Sequence, residues 1–263
     1  MQTRLLHVSD LHFGAGDDPR LEGALASLIE RVSPELVIAS GDLTHRGRRE
    51  QHEQAAGFLR SIGPPVLAVP GNHDIPYAFP ARFTSPWREF ERVWETVEPV
   101  YSSATTQVVG LNSVRPGRHQ SGGLDDAQLQ RAATRLAEAA PGALRVVAFH
   151  HQLINAPWRS HKKPVARRAD VLARLVAAGA ELIVGGHIHQ AAVAERHEFE
   201  VLAGPPGCVI SIAPGLTQPR PKRLGEARGC VVYRADEQSL TCETSIWQGD
   251  DWEPIAERRF RRS

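Results

Sequence analysis

The sequence contains only three cysteines, Cys208, Cys230 and Cys242. They are odd in number and form no C-x-x-C pair, which argues against a disulfide framework and suits a reducing cytoplasm. Each lies in or beside an apolar, strand-like segment, where free cysteine packs as a small hydrophobe. Also missing is any apolar run long enough to span a bilayer. The opening, MQTRLLHVSD, interrupts its apolar stretch with His7 and Asp10, leaving no signal-peptide core, so a cytoplasmic location is expected. Excess charge of one sign is absent as well. With 31 Lys and Arg against 30 Asp and Glu, the formal net charge is +1, which argues against a nucleic-acid binder built on a broad basic surface. Nucleic acid therefore remains a possible partner but not the favoured one. Two local basic clusters stand out: Arg159, Lys162, Lys163, Arg167 and Arg168 within 159–168, and Arg220, Lys222, Arg223 and Arg228 within 219–228. A solvated face is the ordinary reading of each; loops that draw in an anionic substrate are the sharper one.

Short apolar runs recur at Leu5 to Val8, Leu36 to Ala39, Val66 to Val69, Val108 to Leu111, Val146 to Phe149 and Leu182 to Val184, and read as buried strands. Helical spacing fills the intervals at Leu21 to Val32, Gln54 to Ile62, Asp125 to Ala139 and Ala166 to Ala178. This alternation predicts an α/β core with loops at the carboxyl ends of its strands available for a site. Past residue 190 come strand-like segments without helices, at Val201 to Leu202, Cys208 to Ile212, Gly229 to Tyr233 and Leu240 to Trp247, expected to form a mostly antiparallel region completing a second sheet. The 263 residues suit one domain over 1–255. A helical or loop insertion is expected near 75–99, its aromatics forming a small core, and a basic, frayed tail over 256–263.

Potential metal ligands follow five of the apolar runs, where strand ends can gather residues distant in sequence. Asp10 and His12 follow the first run, two residues apart and so on the same side of an extended chain. Asp42 follows the second in S-G-D-L-T, Asn72 and His73 the third in P-G-N-H-D, and His150 and His151 the run ending at Phe149. Gly185 and Gly186 introduce His187 and His189, again two apart. Carboxylate, amide and imidazole without thiolate favour divalent Mn, Fe, Zn or Co over copper(I) or an iron–sulfur cluster. Two divalent ions sharing a carboxylate employ nearly all these groups, whereas one ion leaves several buried without partners.

The order D-x-H, G-D, G-N-H-D, H-H and G-H-x-H across residues 5 to 190 resembles the calcineurin-like metallophosphoesterases. Within that family HVSDLHFG, GDLTHRG and VPGNHDIP look most like bacterial class III cyclic nucleotide phosphodiesterases. The resemblance implies a double β-sandwich flanked by helices, in four α-β-β-α layers. It also implies that Asp10, His12, Asp42 and His189 hold one ion and Asp42, Asn72, His150 and His187 the other, with His73 facing the substrate. The family's fourth block supplies a single ligand, so His150 and His151 compete for that role; His150 directly ends the apolar run. Asp74 is read beside His73 as the carboxylate that orients it or its turn. Of the remaining histidines, His7, His45, His52, His119, His161 and His197 read as structural or solvent-facing, with His45 and His119 the likeliest exceptions. The implied reaction is metal-dependent hydrolysis of a small phosphodiester, such as a 3',5'-cyclic nucleotide, by a hydroxide held between the ions. The rivals are a nuclease, a phosphomonoesterase, a hydrolase of nucleotide-linked lipids, and a non-catalytic scaffold.

Overall fold

The computed structural model describes residues 2–16, 18–118, 120–158, 160, 162–200, 207–217, 226, 228–249 and 251–262. The predicted segments Val201 to Leu202, residues His119 and His161, and the basic residues Arg159, Arg220, Lys222 and Arg223 lie outside that set.

In chain order the elements are β1 (Thr3–Val8), α1 (Arg20–Val32), β2 (Leu36–Ala39), α2 (Arg49–Ser61), β3 (Val66–Ala68), α3 (Ala81–Thr84), α4 (Arg88–Trp94), β4 (Val100–Ser102), β5 (Thr106–Gly110), α5 (Asp126–Ala137), β6 (Leu144–Ala148), α6 (Arg168–Ala177), β7 (Leu182–Gly185), β8 (Ala192–Glu195), β9 (Val209–Ile212), β10 (Gly229–Ala235), β11 (Ser239–Trp247) and β12 (Trp252–Arg261). They form two six-stranded sheets, ordered β12-β11-β10-β1-β2-β3 and β4-β5-β6-β7-β9-β8.

Side-chain alternation along each strand builds the layers. Leu6 and Val8 of β1 pack with Leu25 and Leu28 of α1 and Leu59 of α2 on the outer face of the first sheet. Leu5, one residue away, turns inward to a core shared with Ile38, Val146 and Val184. The second sheet repeats the scheme, with Val147 and Phe149 facing Leu129 of α5 and Leu172 and Leu175 of α6. Helix, sheet, sheet, helix is thus the order of layers, as the resemblance implied.

β1, β2 and β3 run parallel, as do β5, β6, β7 and β9, so the loops leaving β1, β2, β3, β6 and β7 come from carboxyl ends. Helix α2 begins five residues earlier than its apolar spacing suggests, because Gln51 Oε1 accepts from the Arg46 N–H at 2.9 Å and the Arg48 N–H at 3.4 Å. The expected insertion at 75–99 carries α3 and α4, with Phe90 fully buried and Trp94 beside it.

Two expectations about the C-terminal part require correction. It is mostly antiparallel, as expected, but it is divided between the two sheets instead of completing the second. β9 pairs parallel with β7 in the second sheet, while β10, β11 and β12 extend the first. Nor are the described residues of the expected tail, 256–262, frayed. β12 is hydrogen-bonded to β11 as far as Arg261, Phe260 is buried, and the Arg262 guanidinium pairs with Glu181 at 2.8 Å. The three cysteines are buried, and no helix among the described residues is long and apolar enough to cross a membrane.

Candidate metal centre

The five ligand-bearing loops converge. Asp10, His12 and His189 bring one ligand atom each within 4.8 Å of one another, and so do Asp42, His150 and His187. In the first set Asp10 Oδ1 lies 3.1 Å from His189 Nε2 and 3.8 Å from His12 Nε2. In the second, His150 Nε2 lies 3.3 Å from Asp42 Oδ2 and 3.1 Å from His187 Nδ1. The sets meet at one oxygen: Asp42 Oδ2 is also 3.9 Å from His12 Nε2.

The backbone that achieves this is not the extended one expected for D-x-H. Asp10 (φ 54°), His12 (φ 50°), Asp42 (φ 50°), His187 (φ 73°) and His189 (φ 57°) are all left-handed. Two such residues flanking Leu11, and two flanking Ile188, turn both side chains inward while the middle residue enters the core. Non-glycine residues hold this conformation at about 1–3 kcal/mol each, and such residues cluster at functional sites. Cross-loop hydrogen bonds hold it here: Asp10 N–H to Gly41 O at 2.9 Å, His12 N–H to Asp42 O at 2.9 Å and Gly186 N–H to His150 O at 2.9 Å. Gly71 and Gly186 permit the approach, since a Cβ on either would collide with Asp42 or with Ser9 and Asp10.

Neighbouring groups choose which atoms face inward. The His150 Nδ1–H donates to Ser40 O at 2.8 Å and the His187 Nε2–H to Gln120 O at 3.2 Å, leaving the lone pairs of His150 Nε2 and His187 Nδ1 able to meet a cation. Asp10 Oδ2 accepts from the Ser9 hydroxyl at 2.6 Å and the His187 N–H at 2.9 Å, and Asp42 Oδ1 from the His73 N–H at 2.8 Å. What remains is informative. Asp10 Oδ1, Asp42 Oδ2 and both side-chain polar atoms of Asn72 are buried and have no hydrogen-bond partner among the described residues. A buried unsatisfied polar group costs about 1–3 kcal/mol, and a pair of cations shared by Asp42 satisfies these oxygens. The donor set fits two divalent ions.

Charge balance agrees. Burial raises the pKa of both carboxyls, yet His189 and His150 hold Asp10, and His150, His73 and His12 hold Asp42, well below the usual range. Burial drives His12 down to about 3 and His187 well below its ordinary value, keeping both rings neutral and able to ligate. Burial opposes charge on His150, but Asp42, joined by Asp10 and the Ser40 carbonyl, pushes the ring up to about 9.

His151 turns elsewhere: its Nδ1 lies 2.9 Å from Ser113 Oγ, and it belongs to neither ligand set. Asp74, read beside His73 as the carboxylate that orients it or its turn, makes its contacts with the turn. Its carboxylate accepts from Gly71 N–H (2.8 Å), Leu43 N–H (3.1 Å), Thr44 N–H (2.8 Å) and Thr44 Oγ1 (2.9 Å), pinning the β3 loop to the β2 loop. His73 is oriented instead by the main chain, its Nδ1–H donating to His45 O at 2.8 Å.

Three residues near the centre escaped the sequence reading or were only half caught. His45 stacks beside His73. The Tyr77 hydroxyl lies 2.8 Å from His73 Nδ1, a contact its place four residues after His73 could have suggested. Lys162, hidden in a basic cluster, sets its ammonium on the His187 carbonyl. Three other members of those clusters are engaged elsewhere: Arg167 pairs with Asp126, Arg168 with Asn155, and Arg228 with Asp18 and the Trp247 ring.

Comparison with known proteins gives the same picture. A probable cyclic nucleotide phosphodiesterase of Synechococcus is 26% identical over 214 residues, covering 74% of this chain and 77% of that protein. A 3',5'-cyclic-nucleotide phosphodiesterase of Nostoc is 26% identical over 224 residues, 78% of each. The structure of purple acid phosphatase PPD1 from yellow lupin superposes on the whole chain with a TM-score of 0.75 at 13% identity, this chain spanning 54% of its length. Residues 3–191 match the model of the calcineurin-like phosphoesterase family. The chain belongs to the calcineurin-like phosphoesterases and is a metal-dependent phosphoester hydrolase.

Proposed function

We propose that this protein hydrolyses phosphodiesters, with 3',5'-cyclic nucleotides as the substrate class, at a centre where Asp10, His12, Asp42 and His189 hold one divalent ion and Asp42, Asn72, His150 and His187 the other. The observation that carries the reading is the placement of Asp42 Oδ2 between the two ligand sets, 3.9 Å from His12 Nε2 and 3.3 Å from His150 Nε2. The naming of two relatives as cyclic nucleotide phosphodiesterases supports the substrate class. Mn, Fe, Zn and Co all suit the ligands. When bound, such a pair supplies Lewis acidity and a water made nucleophilic near neutral pH.

The chain itself supplies position and proton control. Asp42 Oδ1 fixes His73 through its N–H while Oδ2 faces the ligand sets, so the metal centre and the substrate-facing ring share one anchor. Because His73 Nδ1–H is held by His45 O, the ring meets the substrate through Nε2 and gives a proton to the departing oxygen only from its imidazolium form. Tyr77, against His73, borders the leaving group, and Lys162 places a positive charge where a phosphate approaches.

The test is hydrolysis of cyclic AMP, an aryl phosphodiester, an aryl monoester and single-stranded DNA, each with several divalent metals. Cyclic AMP should be cleaved with the highest kcat/KM; a monoester or DNA turned over faster rejects the substrate assignment. Asp42→Asn should lose at least three orders of magnitude in kcat together with metal uptake by elemental analysis. A fully active Asp42→Asn variant defeats the dinuclear reading.

A further inference from the structure

The same loops assemble a third group of ligands that the dinuclear reading does not use as a set. Ring nitrogens of His12, His45 and His73 lie within 4.8 Å of one another. Their ring centroids are 4.9 Å (His12 to His73), 5.9 Å (His45 to His73) and 6.3 Å (His12 to His45) apart. Hydrogen bonding gives these nitrogens cation-binding character. A carbonyl oxygen only accepts, so the bond to His45 O places the hydrogen of His73 on Nδ1, and the neutral ring carries its lone pair on Nε2. Nδ1 of His45 is buried without a hydrogen-bond partner among the described residues. The scaffold is tied down: the His45 N–H donates to Phe13 O at 2.9 Å, and Thr44 Oγ1 lies 3.0 Å from His73 O.

Three imidazoles without a carboxylate form a donor set that suits zinc, nickel or copper(II) and suits manganese or magnesium poorly. We propose that His12, His45 and His73 form a third cation site, selective for zinc-like ions, whose occupation switches the enzyme off. The proposal rests on the dinuclear assignment above. His12 belongs both to this triad and to the Asp10–His189 set. An ion on the triad therefore competes for that ligand and also caps the imidazole that faces the substrate. Zinc activates at low concentration and inhibits at high concentration; manganese only activates.

The test compares the full-length wild type with His45→Gln and His45→Asn. Hydrolysis is measured across a zinc titration relative to each protein's own activity with manganese, and the His45 ring-proton NMR signals of the wild type are followed over the same titration. Half-inhibition by zinc should move at least tenfold higher in both variants, and the His45 signals should shift over the zinc range that inhibits. Equal inhibition in wild type and variants, absence of an inhibitory limb, or inhibition with unmoved His45 signals overturns the proposal. Failure of the dinuclear reading looks different: the Asp42→Asn variant then binds metal as the wild type does, whatever His45 shows.

Discussion

Ser40, Gln120 and His45 contribute main-chain carbonyl oxygens to the centre, and those three oxygens decide which nitrogens of His150, His187 and His73 turn inward. A side-chain substitution at Ser40 or Gln120 leaves that instruction intact. Asp74 works the opposite way, since its function lies wholly in its carboxylate, which gathers four donors from the two loops carrying Asp42 and His73. Removing a charged acceptor while its donors stay buried costs about 1.5–3 kcal/mol for such bonds. Asp74→Ala should accordingly lower stability by about 3 kcal/mol in urea unfolding and reduce kcat at least tenfold, although Asp74 touches no candidate ligand atom. Asp74→Asn, which keeps part of the acceptor capacity, should fall between.

Among the elements, strands β1, β2, β3, β6 and β7 were legible because each is an apolar run buried on both faces and closed by a polar loop. Their carboxyl ends, where the ligand-bearing loops begin, were legible with them. The local backbone was not legible: the two-residue spacing of Asp10 and His12 looks the same in an extended strand and in a pair of left-handed residues. β12 was missed for a different reason. Only Trp252 and Phe260 are buried while Glu253 to Arg259 stay exposed, so the strand shows no period-two pattern, and its pairing with β11 is set by main-chain bonds. Phe260 nevertheless packs into the core between the sheets. Phe260→Ala should lower stability by about 3 kcal/mol, measured by urea unfolding, whereas a frayed tail would show no change.

Across the whole molecule, a chain of buried polar side chains links the two sheets. Tyr233 of β10 donates to Ser211 Oγ of β9 at 2.7 Å, and its oxygen lies 2.9 Å from His7 Nδ1 of β1. Nε2 of His7 lies 2.8 Å from Ser40 Oγ. This network suits a neutral His7 with its hydrogen on Nδ1, and burial pushes the pKa of His7 down to about 3. The unfolded chain takes up this proton near pH 6.5 and the folded one only near 3, so the contribution to stability is complete above 6.5 and lost as pH falls through that window. Each pH unit removes up to about 1.4 kcal/mol. Urea midpoints of the metal-free protein at pH 7.5 and pH 5 should differ less for His7→Gln than for the wild type.

The left-handed loop residues have one more consequence. At His189, and equally at Asp10, His12, Asp42 and His187, the amino acid that best suits the main chain is glycine, which can ligate nothing. In metal-free protein His189→Gly should therefore denature at higher urea than His189→Ala, by about 1 kcal/mol, while both lose activity equally. Durability and catalysis pull these positions in opposite directions, so selection for a more robust variant would erode the reaction first at the ends of β1, β2 and β7.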